Sequence, residues 1–427
     1  MELLNNILRK ENLKTAYENL VRNKGSSGVD RISVDSLKPY LHEHWPRLKE
    51  ELQQGCYHPQ AVLGIAIPKR SGGERQLGIP TTFDRMIQQA IHQELSPMFE
   101  PEFSCYSYGF RPGKSAGQAI AQALTYINGG YKYIVDIDLK SFFDEVNHDY
   151  LMNLIKRKVR DAQLLRLIWR YLRSPMQING KLQKRRKGVP QGGPLSPLLS
   201  NIVLNVLDKE LEQRELLFVR YADDFSIFVK TGRAAHRVKR RITGFIENRL
   251  HLTVNTKKSA IRKPLNYEYL GFAFESAYRK GERGQYQLVV SKDSLTELKY
   301  KIKGITRKTI PASFDERIQR LNLLMRGWLN YFKPASIFGK LKAMDGWVRN
   351  RLRYCIWHHW KKPRRRAKNL IRLGIPEHMA YQWAYSRMGG WAISCSPILI
   401  TTITLDRLKS RGYKSFLEYY LEKSTCR

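Results

Sequence analysis

Residues 220–230, RYADDFSIFVK, place two carboxylates, Asp223 and Asp224, directly before an apolar run. Burying an ionised carboxylate is costly unless a counter-charge accompanies it. A tight turn is one reading, because Asp accepts turn conformations and ends strands. An acid pair that holds metal is the other. Residues 133–149, YIVDIDLKSFFDEVNHD, bear on the choice. In a strand, residues two apart face the same side, so Asp136 and Asp138 project together from an otherwise apolar segment. Two carboxylate-bearing segments supply the hard oxygen ligands that Mg²⁺ takes. Two such ions about 4 Å apart clamp the attacking and leaving oxygens of a phosphoryl transfer. Neutralisation by metal would also account for acids beside Phe225 and Ile227.

The elements that must position these acids are legible as alternating patterns. AVLGIAIP and YKYIVDIDL read as strands; TTFDRMIQQAIHQEL and DAQLLRLIWRYL read as helices. SPLLSNIVLNVLDKELEQR is a helix with Ser196 expected as N-cap and Pro197 in its first turn. AAHRVKRRITGFIENRL is another helix, YEYLGFAF is strand-like, and RKGERGQ reads as a hairpin loop. Residues 1–60 are helical around the loop RNKGSSGVDRIS, and from about 292 the chain becomes helical and basic.

Across 427 residues, 75 Lys and Arg oppose 38 Asp and Glu, a formal net charge of +37. Such an excess disfavours compaction unless a polyanion neutralises it, which makes nucleic acid the leading partner. The five cysteines lie far apart with no CxxC pair, which argues against a zinc site and fits a reducing compartment. The longest apolar stretch near the C-terminus, PILITTITL, is too short to span a bilayer, and the N-terminus is not a secretory signal. An intracellular protein, in the bacterial cytoplasm by preference, is expected.

YADD after a strand, DIDLKSFF upstream and PQGGPLSPLLSNIVLN between them resemble the palm of a reverse transcriptase. IPKRSGGERQLGIPTTFDRMIQQAI, SYGFRPGKSA, YLGFAF and MRGWLNYF resemble, more closely, group II intron-encoded reverse transcriptases, also called maturases. The likeness covers nearly the whole chain. It implies an α+β right-hand polymerase: fingers and palm of antiparallel sheet plus helices, followed by an α-helical thumb. The expected boundaries are an N-terminal extension at 1–60, fingers and palm at 61–290, a thumb at 291–367, and a short basic, DNA-binding region at 368–427. Many relatives end in an endonuclease with clustered Cys and His. No such cluster is seen here, so the compact form is expected.

The resemblance also implies roles. Asp138 and Asp223 would hold two Mg²⁺ ions, with Mn²⁺ an alternative, and Asp224 would support them. The family's first metal acid lies five residues before an aromatic, a spacing that Asp138 and Phe143 match, which leaves Asp136 structural. The Phe143 ring would exclude a ribose 2′-hydroxyl. Lys69 and Arg75 would grip the triphosphate, with Gly72 and Gly73 turning the hairpin. Gln191 and Asn205 would contact the nucleotide. Gly192, Arg111 and Lys258 would approach nucleic acid.

In residues 340–372, twelve Lys or Arg accompany one acid, Asp345. A helical wheel clusters Leu341, Met344, Val348, Leu352 and Cys355 on an inward arc. It places Trp347, Tyr354 and Trp357 outward among Arg349, Arg351 and Arg353, an arrangement suited to backbone contact and base stacking, with tryptophan core packing as the alternative. Arg364, Arg365 and Arg366 would extend the same surface. The implied activity is RNA-directed DNA synthesis from dNTPs on an RNA template, with a DNA or RNA primer. The implied partners are group II intron RNA and target DNA, for splicing and retrohoming. A mainly RNA-binding splicing cofactor, or a free-standing enzyme of repair or defence, remains the alternative.

Overall fold

The computed structural model describes residues 2–68, 73–277 and 284–425. Lys69, Gly72 and most of the RKGERGQ loop lie outside them. The chain divides into two compact units, Met1–Lys263 and Pro264–Arg427.

The first unit holds two four-stranded sheets. One runs Glu74–Ile79, Val62–Pro68, Met176–Ile178, Lys181–Gln183 in spatial order. Its first pair is an antiparallel hairpin, in register from Leu63↔Ile79 to Pro68↔Glu74. The other runs Leu217–Tyr221, Asp224–Val229, Tyr133–Ile137, Ala260–Arg262, antiparallel throughout. Ile134, Val135, Ile137, Phe225, Ile227 and Phe228 are buried in this second sheet. Helices Ala116–Asn128, Ser196–Gln213 and Gly232–Arg249 pack against it. Because the sheet is covered, its strands read as near-continuous apolar runs, and an acid inside one is conspicuous.

Helix Ser196–Gln213 starts one residue earlier than expected. Leu195 occupies the cap, and the Ser196 hydroxyl donates to the Pro190 carbonyl at 2.5 Å instead of capping. That bond ties the helix to the PQGG loop before it.

In the second unit a three-stranded antiparallel sheet, Glu268–Tyr269, Phe272–Ser276 and Tyr286–Val290, is followed by the long helices Lys292–Ile305, Phe314–Phe332 and Phe338–His359. YEYLGFAF is thus two strands, reversed at Leu270 and Gly271, both with positive φ. Phe272 and Phe332 rings lie 4.9 Å apart, and the Tyr331 hydroxyl donates to the Leu270 carbonyl at 2.9 Å. Residues 264–290, expected with the palm, group by packing with the helices that follow. No helix among the described residues is long and apolar enough to cross a membrane.

Candidate active site

The YADD segment is a two-residue hairpin in which Tyr221 pairs with Asp224 across Ala222 and Asp223. Ala222 has φ +58°, a left-handed conformation that a side chain rarely adopts unaided. Arg220 holds it there. Fully buried, Arg220 makes a bidentate pair with Asp208 at 2.6 and 2.7 Å, bonds Asn201 Oδ1 at 2.9 Å, and donates to the Ala222 carbonyl at 3.0 Å. Asp208 and Asn201 come from helix Ser196–Gln213, and Asn201 also donates to the Gly109 carbonyl at 3.0 Å. Gly109 itself lies so close to the Ala222 backbone that no Cβ fits between them. Asp208 and Asn201 of that helix therefore serve Arg220. Nothing in the spacing of RYADD marks its arginine as internal.

Strand Tyr133–Ile137 pairs with Asp224–Val229 as Asp136↔Ser226 and Ile137↔Phe225, so one further step sets Asp138 opposite Asp224. Asp136 is occupied: Arg262 donates to it at 3.0 Å and the Ser226 hydroxyl at 3.3 Å. Asp138 accepts from Asn255 Nδ2 at 2.8 Å, and Asn255 N donates to the Asp138 carbonyl at 2.8 Å. Asn255 and Ser259, in the loop before strand Ala260–Arg262, thus fix Asp138 in place. No sequence signal had singled them out.

The acids repel one another. Asp224 is exposed by surface area, yet surrounding protein desolvates its carboxyl, and Asp223, Asp138 and Asp136 add like charge. Its pKa is pushed up to about 7, with the Lys258 charge acting in the opposite direction. Asp223 is also raised, by desolvation first and then Asp138, against the pull of Arg75. Arg75 and Lys258 therefore lie close enough to feel these acids. Arg75 Nε also donates to Gln191 Oε1, so the two side chains that the resemblance assigns to the nucleotide meet.

Gln191 sits in a loop joined to the fingers hairpin, since Gly78 N donates to its carbonyl at 2.7 Å. Gly192 has φ +126°, and a Cβ there would stand 2.5 Å from the Gly78 oxygen, so only glycine fits. Phe143, in the short helix Phe142–Glu145, is 7 % exposed beside Phe142 at 2 %. The less buried ring is the one the family pattern picks out.

Residues 67–274 match the family described as reverse transcriptase (RNA-dependent DNA polymerase), and residues 295–374 match the group II intron maturase-specific domain. The chain is 32% identical over 299 residues to Protein YkfC of Escherichia coli K12, covering 61% of this chain and 78% of that protein. The chain belongs to the group II intron reverse transcriptases. It is 30% identical over 344 residues to the group II intron-encoded protein LtrA of Lactococcus lactis, covering 75% of this chain but 57% of LtrA. A putative COX1/OXI3 intron 2 protein of Saccharomyces cerevisiae is 28% identical over 56% of this chain and 27% of its own length.

A group II intron reverse transcriptase is an RNA-directed DNA polymerase, acting on nucleic acid with the divalent metal ions its domain family uses. Like charge from Asp223, Asp138 and Asp136 raises the Asp224 pKa, and such a cluster of carboxylates suits a cation. Among the described residues no three His, Cys, Asp or Glu side chains already form a ligand set. Mg²⁺ is ordinarily held by one or two carboxylates plus water and substrate phosphates, so such a site need not be complete before substrate binds.

Other expected contacts fall elsewhere. Arg111 does not reach outward: its side chain is 6 % exposed, pairs with Glu100 at 2.7 Å, and donates to the Ser104 and Ser107 carbonyls. It is a brace under the SYGFRPG loop. Asn205 lines a separate recess together with Phe103 and Arg249 and with none of the acids. Lys258 is exposed.

In the maturase-specific segment the inward arc is buried as expected, but the outward one is only partly outward. Trp357 is 2 % exposed and Arg353 5 % exposed. Arg353 donates to the Ile403 carbonyl at 3.0 Å and to Asn350 at 2.8 Å, so the C-terminal segment covers it. Trp357 is core, with Arg366 stacked over its ring at 4.5 Å. Arg349 is half-buried, and Arg364 and Arg365 are exposed at the start of helix Pro363–Arg372. The same C-terminal segment is anchored by buried Asp345, which accepts from Tyr413, Ser415, Phe416 N and Leu417 N at 2.6–2.9 Å.

Proposed function

We propose that this chain extends a primer on an RNA template with dNTPs, using two Mg²⁺ ions held by Asp138 and Asp223 with Asp224 in support. The observation that carries this is the crowding of these carboxylates at one end of the central strands Tyr133–Ile137 and Asp224–Val229, with Asp224 pushed up to about 7 and the Arg75 charge acting on Asp223. When bound, the metal would supply charge stabilisation for the reacting oxygens. The chain's own residues do the rest. Asn255 holds the Asp138 carboxylate, and Arg220 holds the turn that carries Asp223. Arg75 and Gln191 present a cation and an amide to the incoming nucleotide, and Lys69, outside the described residues, is a further cation for its phosphates in this reading. Phe143 bounds the sugar. Intron RNA is the template and splicing partner in this reading, and exposed Arg364 and Arg365, with half-buried Arg349, touch its phosphates. Target DNA is the primer source for retrohoming.

Replacing Asp223 by Asn keeps the packing volume and removes a metal ligand. Extension of a DNA primer on RNA should be lost, while the circular dichroism spectrum and RNA affinity stay at parent values. Retained synthesis would overturn the assignment.

A further inference from the structure

Phe143 lies in the short helix Phe142–Glu145, and residues 187–189 are bonded along that segment. Val189 N donates to the Phe143 carbonyl at 2.6 Å, and Gly188 N to the Val146 carbonyl at 2.7 Å. Lys187 forms an antiparallel bridge with Asn147, and its ammonium reaches Glu145 at 2.6 Å. Gly188 has φ +88°, and a Cβ there would stand 2.8–2.9 Å from Asp144 backbone atoms and the Phe143 carbonyl oxygen. No side chain fits between the two backbones.

Two side chains converge on the far side of this contact. The Gly188 carbonyl accepts from His148 Nε2 at 2.7 Å and from Arg185 Nη2 at 2.9 Å. With a carbonyl as partner, Nε2 is the ring nitrogen that carries the proton. His148 is 2 % exposed, and its ring meets Trp169 edge to face at 5.9 Å. Its other nitrogen, Nδ1, is buried with no hydrogen-bond partner among the described residues. A buried polar atom left unpaired costs about 1–3 kcal/mol. An apolar side chain at 148 would avoid that cost, so what the histidine adds is the bond to Gly188.

We propose that His148, seconded by Arg185, is a positioning residue for nucleotide choice: it holds Gly188 against the backbone of Phe143 and so fixes how far that ring can retreat from the sugar. The proposal rests on the reading of Phe143 as the group that excludes a ribose 2′-hydroxyl. Steric exclusion is only as sharp as its wall is rigid. From the imidazole to the Phe143 backbone the path runs through Gly188 and its neighbour Val189, by backbone bonds, with no further flexible side chain between. Neither His148 nor Arg185 touches the nucleotide in this account.

The test is steady-state incorporation of CTP and of dCTP by the full chain on a primed RNA template, with thermal melts on each variant. His148→Leu should raise kcat/KM for CTP by about tenfold, part of the roughly 100-fold that a 1 Å displacement is worth at a reacting centre. General loss of structure lowers both rates and does not raise the one for CTP. His148→Gln, whose amide donates to the same carbonyl, should stay near the parent value. Arg185→Leu removes the second donor from a less buried position, and should raise CTP use in the same direction even if His148→Leu does not fold. In a Phe143→Ala background His148→Leu should add nothing, because the ring it positions is gone. CTP use at the parent level in both Leu variants, an equal gain in the Phe143→Ala background, or a Gln variant as relaxed as the Leu variant would each overturn the proposal. Phe143→Ala alone separates the two readings. If it raises CTP use while the Leu variants do not, only the role of His148 is refuted; if it has no effect, the reading of Phe143 falls and this proposal falls with it.

Discussion

Arg220 offers the sharpest check on how the acid turn is held. Arg220→Leu removes four hydrogen bonds at once: two to Asp208, one to Asn201 and one to the Ala222 carbonyl. Asp208 and Arg220 are both fully buried, so the aspartate would be left without its counter-charge and out of reach of water. Breaking one partner of such a pair costs about 3–5 kcal/mol. Removing both charges together, as Arg220→Leu with Asp208→Leu, should restore most of that, because an apolar pair of similar volume carries no desolvation debt. Stability should therefore recover in the double variant while synthesis does not. Ala222 at φ +58° has still lost the donor on its carbonyl, and a misplacement of about 1 Å at a reacting centre costs on the order of 100-fold in rate. Urea unfolding read by tryptophan fluorescence, alongside single-turnover primer extension, measures both. A single variant destabilised by less than about 1 kcal/mol would refute the buried-pair account. A double variant with parent extension rate would refute the positioning role.

Phe143→Ala should raise ribonucleotide incorporation relative to dNTP, read by competition; unchanged discrimination returns Phe143 to core packing. Asp224 titrates near 7 in the folded chain against about 4 unfolded. Its raised pKa favours the folded state below the unfolded value, and that contribution is lost as pH rises from about 4 to 7. In EDTA the melting temperature should fall across this window, Asp224→Asn should flatten the fall, and added Mg²⁺ should reverse it in the parent. Arg364→Gln with Arg365→Gln should flatten log K for RNA against log salt by roughly one to two units. Trp357→Ala, by contrast, should cost about 3–5 kcal/mol of stability as a buried truncation; a loss of RNA affinity at parent stability would restore Trp357 to the surface.

The carboxylates were legible because a period of two is simple and an acid in an apolar strand is rare. Asp136 and Asp138 share a face, and YADD closes a hairpin. What escaped the sequence were the residues that act across long separations. Asn255 reaches Asp138 and Asp208 reaches Arg220, and neither has local spacing to mark it. The thumb failed for a related reason. A helical wheel assumes one covered face, but helix Phe338–His359 is covered a second time by the C-terminal segment, which buries Arg353 and Trp357. Arg111 shows that an arginine in a glycine-rich loop can spend its donors inside the fold, here on the Glu100 carboxylate and on the Ser104 and Ser107 carbonyls.

The bond from Gly78 N to the Gln191 carbonyl, with Gly192 seated against the Gly78 oxygen, has a mechanical meaning. Strand Glu74–Ile79 carries Arg75, and the loop carries Gln191. With no space for even a methyl group between the two backbones, neither can slide without displacing the other. A shift of strand Glu74–Ile79 would thus be passed to Gln191, and from there through the bond of Ser196 to the Pro190 carbonyl to the helix that grips Arg220. Strand Glu74–Ile79 and the helix that grips Arg220 are then geared to one another through this loop, and a side chain at residue 192 would strip the gear.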